Sequence, residues 1–128
     1  MIRIARAMTI LLAIASYEGF NKTGSRAQRN NNPGNIQYGK LAASFNARLE
    51  TIFPGSDERA RFADFPDSDA GFACLRELLT TDYIGMTLLA AINKYAPNTE
   101  NNTSAYAQFV CDHTGLALET VLTTENIG

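Results

Sequence analysis

The sequence has few of the residues that build metal sites and disulfide frameworks. Among 128 residues there are two cysteines, Cys74 and Cys111, and one histidine, His113. The cysteines are too few and too far apart in the chain for a disulfide framework or a zinc site, and one histidine gives a metal ion little to bind. We therefore expect no metal ion and no cofactor. The cysteines are either small buried core residues or the two halves of one disulfide between neighbouring helices.

The chain also lacks a strong net charge and a long apolar run. Its 11 basic and 13 acidic residues leave a formal charge of −2, and the arginines between positions 48 and 61 are interleaved with acidic residues. Such a surface does not suit the phosphate backbone, so nucleic acid is not an expected partner. No segment reaches the roughly 20 apolar residues that span a bilayer, so stable membrane insertion is not expected either.

Length and composition predict one compact domain. A chain of 128 residues with 45% hydrophobic residues can bury a working core. The sequence contains no internal repeat, no low-complexity linker and no block of like charges. We therefore expect a single domain over residues 1–128 that acts as a monomer.

The N-terminal segment fits two interpretations. Two arginines, Arg3 and Arg6, precede the apolar run "AMTILLAIA", whose last three residues have the small-x-small pattern of a signal-peptide cleavage site. The same run also reads as a first helix over residues 4–17, with Glu18 at its end. The run is short, and cleavage would remove the helix that positions Glu18. The sequence therefore favours the helix over the signal peptide.

Helix-period apolar positions and capping residues predict a mainly α protein. The predicted helices are residues 4–17 ended by Gly19, a segment from Asp67 or Ser68 through "AGFACLRELLTTDY", the segment "TLLAAINKYA" closed by Pro97, a segment from Asn102 or Thr103 to the stop signal Gly115, and a short final helix around "ALETVL".

A long loop and a small β element are predicted between the first two helices. The loop "NKTGSRAQRNNNPGN" has about 15 residues, and loops of that length without structure of their own are usually functional in a compact domain. After it, the turn signal "PGSDE" and the aromatic residues Phe62 and Phe65 predict a short hairpin or small irregular sheet around residues 36–65. The predicted class is mainly α (α+β), with a small β-hairpin element.

Glu18 has the sequence context of a functional carboxylic acid. It follows a strongly apolar helix and is flanked by Tyr17 and Phe20, so we expect it to be partly desolvated. Desolvation raises the pKa of a carboxyl group toward the range in which it can donate a proton near neutrality. Such an acid can protonate a glycosidic oxygen. The alternative is an exposed residue in the last helical turn with no task.

The asparagine-rich stretch "RNNNPGNIQYG" is typical of a polar binding loop. Asparagine amides both donate and accept hydrogen bonds, and the "PG" pair fixes a turn. Uncharged polar side chains beside tyrosines suit a sugar cleft, because hydroxyl and acetamido groups need paired hydrogen bonds and sugar faces need aromatic walls. The alternative is a turn with no binding role.

Four motifs in order resemble a known group of enzymes. They are "YEGF", "RNNNPGNI", "RFADFPDSDAGFACLRELL" and "INKYAPNTENNTSAYAQFV". Together they resemble the phage and prophage members of the lysozyme-like superfamily of peptidoglycan-cleaving enzymes. They are also similar to the flagellar-type N-acetylglucosaminidases and the soluble lytic transglycosylases. The resemblance spans about residues 8–115 and implies a lysozyme-like fold.

The resemblance implies roles for individual residues. Glu18 matches the catalytic acid, and "NNPGNI" matches the turn that lines the cleft beside it. Asn35 either contacts an N-acetyl sugar or holds the turn together, and the two helical tyrosines either border the cleft or pack in the core. The substrate-binding candidates are Asn32, Asn35, Gln37, Tyr38, Tyr95 and Tyr106.

A second carboxylate is needed by some of these enzymes and not by others. Hydrolases place two carboxyl groups across the scissile bond, whereas a lytic transglycosylase uses one acid/base because the C6 hydroxyl of the sugar attacks. Glu50, Asp57 and Glu58 fall in the predicted hairpin, which borders the cleft in this superfamily. Asp57 is the preferred catalytic partner of Glu18 if one exists. Otherwise it is a solvated turn carboxylate.

The residues and the resemblance together predict a muramidase or lytic transglycosylase that cleaves the peptidoglycan strand, either as an endolysin or as a virion-associated enzyme. It would act on the cell wall or in the periplasm, after synthesis in the host cytoplasm if it comes from a phage. The alternative is a non-catalytic glycan-binding or virion structural module that keeps the fold. A further alternative is an effector or scaffold whose asparagine-rich loop binds another protein.

Overall fold

A computed structural model describes residues 8–98 and 102–128 of the chain. Within these ranges the chain is mainly helical with one two-stranded antiparallel sheet, which confirms the predicted class. Arg3, Arg6 and the start of the predicted first helix lie outside the described residues. The elements in chain order are α1 (Ile10–Tyr17), α2 (Arg26–Arg29), α3 (Lys40–Ser44), β1 (Arg48–Leu49), β2 (Ala63–Asp64), α4 (Ser68–Asp82), α5 (Leu88–Tyr95), α6 (Thr103–Thr114) and α7 (Thr124–Ile127).

The chain divides into two compact units. Among the described residues, the central unit is Ile14–Leu78, and the terminal unit combines residues 8–13 with residues 79–98 and 102–128. Helices α1 and α4 contribute residues to both units. The prediction of a single functional domain stays a prediction.

The end of α1 fixes the position of Glu18. The amide of Phe20 donates to the carbonyl of Ala15 at 3.0 Å, and the amide of Gly19 donates to the carbonyl of Ser16 at 3.2 Å. This pair of bonds ends a helix when the residue after the C-cap is left-handed, and Gly19 has a φ of +86°. Glu18 is therefore the C-cap residue, and the prediction that Gly19 ends the helix is confirmed.

The core of the central unit joins its small sheet to α3 and α4. Ala42, Ala63, Phe65 and Cys74 are buried together in it, each at most 2% exposed. Burial raises the pKa of the Cys74 thiol to about 11, so the group stays protonated near neutral pH. Cys74 and Cys111 are both free, so the alternative of a disulfide is not realised.

Two short helices lie where the sequence predicted irregular structure. Helix α2 lies inside the predicted asparagine-rich loop, and α3 lies inside the predicted hairpin segment. The hydroxyl of Ser25 caps α2 by accepting from the amide of Gln28 at 3.1 Å. Helices of four or five residues carry too little periodicity to be recognised in a sequence. The sheet itself is confirmed, with Arg48 opposite Asp64.

The terminal unit has the two predicted helices α5 and α6. The side chain of Thr87 caps α5, and that of Asn102 caps α6 by accepting from the amide of Ala105. Gly115, with a φ of +76°, ends α6 as predicted. Residues 99–101, which precede α6, lie outside the described residues.

The prediction of a final helix around "ALETVL" is wrong. Its residues instead form extended and turn structure against the start of α5. The amide of Leu88 donates to the carbonyl of Thr120 at 2.8 Å, and the amide of Leu122 donates to the carbonyl of Met86 at 2.8 Å. The C-terminal helix is α7, which begins after Thr123 with a capping box. Long-range backbone bonding has thus outweighed the weak local helical pattern.

The close approach of α4 to the asparagine-rich loop gives a test of this packing. A Cβ atom added at Gly71 would lie 2.8 Å from Cδ of Pro33 and nearer still to the carbonyl oxygen of Asn31. We expect Gly71→Ala to lower the free energy of unfolding by about 1–3 kcal/mol, because the backbone must shift to relieve the overlap. Urea unfolding followed by circular dichroism measures this change.

Gly39→Ala is the matched control for Gly71→Ala. Gly39 has an extended backbone, with a φ of −177°, and an added Cβ would meet no atom within 4 Å. Gly39→Ala should change the free energy of unfolding by less than about 1 kcal/mol. Equal effects of the two substitutions would contradict the close packing at Gly71.

Candidate active site

The carboxylate of Glu18 is held by an asparagine from the loop. Nδ2 of Asn35 donates to Oε1 of Glu18 at 3.0 Å and lies 3.4 Å from the backbone carbonyl oxygen of the same residue. Glu18 is half-buried, and its backbone is fixed by the end of α1. Both the side chain and the backbone of Glu18 are therefore oriented by residues of the central unit.

Asn35 has two energetically unfavourable features. Its backbone is left-handed, with a φ of +47°, which is uncommon for a residue other than glycine. Its Oδ1 atom is buried and has no hydrogen-bond partner among the described residues. Strained conformations and unsatisfied polar atoms concentrate at functional sites. Both features occur at the residue that contacts Glu18. The predicted contact of Asn35 with an N-acetyl sugar stays a prediction.

Asn32 has a structural role in the same loop. Its side chain is 0% exposed. Nδ2 donates to the carbonyls of Ile36 and Ala63, both at 2.9 Å, and Oδ1 accepts from the amide of Ile36 at 2.9 Å. Because these bonds tie the loop to β2 and the side chain is fully buried, the structure argues against the predicted contact between Asn32 and a sugar.

The two other predicted residues of the loop are accessible. Gln37 is exposed and forms a β-bridge with Phe62. Tyr38 is 43% exposed, and its amide donates to the carbonyl of Arg61 at 2.9 Å. The backbone of both residues is held while their side chains remain accessible. Their role in binding a sugar stays a prediction.

Phe20, two residues after Glu18, forms an aromatic pair with Phe72 of α4. The rings of Phe20 and Phe72 meet edge to face, with centroids 5.3 Å apart and planes at 79°. Both residues are half-buried. Aromatic pairs in this geometry are more favourable than their buried area alone implies. The pair therefore fixes the segment after Glu18 against α4.

Glu50 is a buried carboxylate that the sequence did not single out for any structural role. The Arg26 guanidinium donates to both of its oxygens, at 2.8 and 2.6 Å. Oε1 also accepts from Nδ2 of Asn30 at 3.0 Å, and Oε2 accepts from the amides of Arg61 and Phe62 at 3.0 and 2.8 Å. The Glu50 side chain is 2% exposed. No local sequence signal predicts contacts between residues so far apart.

The pKa of Glu50 reflects two opposing effects. Burial alone would raise it, but the hydrogen bonds from Arg26, from two backbone amides and from Asn30 outweigh burial and lower the pKa from 4.5 to about 2. Glu50 is therefore ionised and fully engaged in structure. It is not available as a second catalytic carboxylate.

The other two candidate carboxylates of the predicted hairpin are exposed. Glu58 lies 4.0 Å from Arg26 and 3.7 Å from Arg29, and its side chain is 44% exposed. Asp57 is also exposed in the segment between β1 and β2. The prediction that Asp57 acts with Glu18 stays a prediction.

The predicted helical tyrosines belong to the terminal unit. Tyr106 is 0% exposed, and its ring centroid lies 6.4 Å from that of Tyr95. The half-buried Tyr95 also meets Tyr83 at 6.1 Å. Burial argues against a sugar contact by Tyr106, whereas the predicted role of Tyr95 remains a prediction.

Comparison with known proteins finds no match to any family model or curated protein. The resemblance to lysozyme-like enzymes therefore rests on the motifs of the sequence. Across residues 8–98 and 102–128, no group of three or more His, Cys, Asp and Glu side chains could hold a metal ion. No helix in those ranges is long and apolar enough to cross a membrane.

The buried Glu50 carboxylate predicts how stability depends on pH. Because its pKa is lower in the folded chain than the ordinary 4.5, its contribution is fully present above about pH 4.5 and is lost as the pH falls toward 2. This contribution to the free energy of unfolding is about 3 kcal/mol. Glu50→Gln should remove most of it at pH 7 and flatten the loss of stability in acid, measured by urea unfolding between pH 7 and pH 2.

Glu58→Gln is the control for Glu50→Gln, because Glu58 faces the same arginine from an exposed position. Exposed ion pairs contribute about 0–1 kcal/mol, so this variant should keep the acid dependence of the natural chain. A Glu50→Gln variant with unchanged stability and unchanged acid dependence would contradict the assignment of Glu50.

Proposed function

We propose that this protein is a lysozyme-like enzyme that cleaves the β-1,4 glycosidic bonds of peptidoglycan strands, with Glu18 as general acid and base. The observation that carries the proposal is the hydrogen bond from Asn35 to the Glu18 carboxylate, 3.0 Å long. It joins the end of the apolar helix to the asparagine-rich loop, which the resemblance assigns to the catalytic acid and to the turn that lines the cleft. A structural carboxylate at a helix end would not require a strained partner with an unsatisfied buried oxygen.

The proposed reaction begins with proton transfer from Glu18. The protonated carboxyl group donates its proton to the glycosidic oxygen while the bond from C1 to that oxygen breaks, and the leaving sugar departs with a hydroxyl group. The resulting carboxylate then accepts a proton from the attacking nucleophile, whose oxygen forms the new bond to C1. Asn35 acts as a positioning residue, because its Nδ2 atom keeps Oε1 of Glu18 in one orientation.

The nucleophile decides how many carboxylates the reaction needs. If the C6 hydroxyl of the same sugar attacks, Glu18 suffices and the product has a 1,6-anhydro end. If water attacks, a second carboxylate contributes in most glycosidases. Glu50 is occupied by five hydrogen bonds. The proposal therefore favours the single-acid route, and the hydrolytic route would require Asp57.

The substrate defines the site of action. A peptidoglycan strand is met at the cell wall or in the periplasm, so we propose that the protein acts there. It needs no metal ion or cofactor for this reaction. The exposed Gln37 and Tyr38 are the loop side chains that we propose to contact the strand.

Replacement of Glu18 tests the proposal. Glu18→Gln keeps the size of the side chain but removes the proton donor, so release of soluble fragments from purified peptidoglycan should fall at least about 100-fold. Urea unfolding should show a nearly unchanged stability. Full release by this variant would contradict the role of Glu18. If the natural chain binds strands but releases no fragments, the protein is a glycan-binding or structural module instead.

Two substitutions of Asn35 separate positioning from backbone strain. Asn35→Gly removes the amide but accepts the left-handed backbone, whereas Asn35→Ala removes the amide and keeps the strain. Both should lower kcat by about 10-fold or more and leave KM nearly unchanged, because Glu18 loses its orientation. Only Asn35→Ala should also lose stability. Normal kcat and an unchanged pH profile of activity in Asn35→Gly would contradict the positioning role.

A further inference from the structure

A polar pocket lies on the central unit. It is lined in part by the start of the asparagine run, which is the segment 30–35. Its volume is about 450 Å³, which is in the range of pockets that hold small ligands. No residue predicted from the sequence to bind substrate lines it. The lining residues are Arg29, Asn31, Asn46, Arg48, Asp64, Phe65 and Pro66.

The pocket carries hydrogen-bonding groups that the described part of the chain does not use. The guanidinium of Arg29 makes no hydrogen bond to a described residue, and the nearest oxygen of Glu58 is 3.7 Å away. Arg48 uses only Nε, which donates to Asp64 at 3.2 Å. The side-chain amide of Asn46 has no hydrogen-bond partner within residues 8–98 and 102–128. Each guanidinium has five N–H donors, so most of these donors are available to a ligand.

The pocket walls include strained backbone. Among the described residues other than glycine, three have a positive φ, and two of them, Asn31 at +50° and Asn46 at +65°, line this pocket. The third is Asn35, which holds Glu18. Nδ2 of Asn31 donates to the carbonyl of Phe65 at 3.1 Å, so the pocket wall and the loop are joined. The short run from Asn31 to Asn35 therefore connects this pocket to the candidate active site.

The charges of the pocket select the kind of ligand. Arg29 and Arg48 favour a carboxylate, which a guanidinium can bind with two parallel hydrogen bonds. Asp64 is in the same pocket, where its Oδ2 accepts from Arg48, and its side chain is 18% exposed. Its negative charge opposes a phosphate, and its other oxygen can accept from an ammonium group. A ligand with a carboxylate and an ammonium group close together can pair with both the arginines and the aspartate. Peptide groups with a free amine and a free carboxylate have this chemistry.

We propose that this pocket binds such a zwitterionic peptide group, and that the group belongs to the peptide stem of the peptidoglycan strand. The assignment of this group to the peptide stem rests on the proposed function. Arg29 and Arg48 would take the carboxylate, Asp64 the amine, and Asn46 the amide groups of the stem. The protein would then select strands that carry peptides over bare glycan.

Binding of a soluble stem peptide tests the proposal without any cleavage. The probe is the tripeptide L-alanyl-γ-D-glutamyl-meso-diaminopimelic acid, titrated into the full chain by calorimetry and by NMR. We expect it to bind, and Arg29→Gln and Arg48→Gln each to weaken binding about tenfold. Acetylation of the side-chain amine should weaken binding to the natural chain but not to Asp64→Asn. Inorganic phosphate should not compete.

Arg59→Gln is the control, because it removes one exposed positive charge from the central unit without touching the pocket. It should bind the tripeptide like the natural chain, and urea unfolding checks that every variant is folded. No binding by the natural chain, binding by both pocket arginine variants as tight as that of the natural chain, or competition by phosphate would overturn the proposal.

Activity assays separate this inference from the proposed function. If the natural chain cleaves strands, its preference for peptide-bearing over amidase-treated strands should disappear in Arg29→Gln. Cleavage without tripeptide binding would overturn the pocket proposal and leave the proposed function intact. Tripeptide binding at Arg29 and Arg48 without cleavage would support the pocket and contradict the enzyme.

Discussion

The buried carboxylate of Glu50 binds two other segments of the central unit, which are α2 with the asparagine that follows it and the residues before β2. It accepts hydrogen bonds from α2 through Arg26, from the asparagine run through Asn30, and from the backbone of Arg61 and Phe62 before β2. Burying a charge is costly unless its oxygens are fully satisfied, and here five hydrogen bonds supply that compensation. Loss of this carboxylate would leave Arg26 without its main partner and free the start of the asparagine run. The loop that reaches Glu18 depends on this anchor.

The asparagine run links Glu50 to Glu18, because each of its asparagines makes a different contact. The first binds Glu50, the next two bind backbone carbonyls of the strand segment, and the last binds the Glu18 carboxylate. Such a division of tasks explains why so polar a loop can be ordered: its amides replace the backbone ladder that an irregular segment lacks. The four residues are Asn30, Asn31, Asn32 and Asn35.

The sequence predicted best those features that depend on local signals. Asn102 and Gly115 mark the ends of α6, and Gly19 marks the end of α1, because capping follows from the residues themselves. Glu18 and the loop beside it could be paired by motif order alone. The contact of Arg26 with Glu50, 24 positions along the chain, could not be predicted, since it depends on tertiary packing. The same reason explains why the segment 117–122 was predicted as a helix although its backbone bonds to residues before and within α5.

We propose that a single carboxylic acid, Glu18, cleaves the glycan strand. Mass spectrometry of the fragments that the protein releases from purified Gram-negative peptidoglycan, beside Glu18→Gln, tests it most directly. We expect fragments with 1,6-anhydro ends from the natural chain and none from Glu18→Gln. Reducing ends would contradict the single-acid route and direct attention to Asp57. Fragments released equally by both proteins would contradict the role of Glu18 itself.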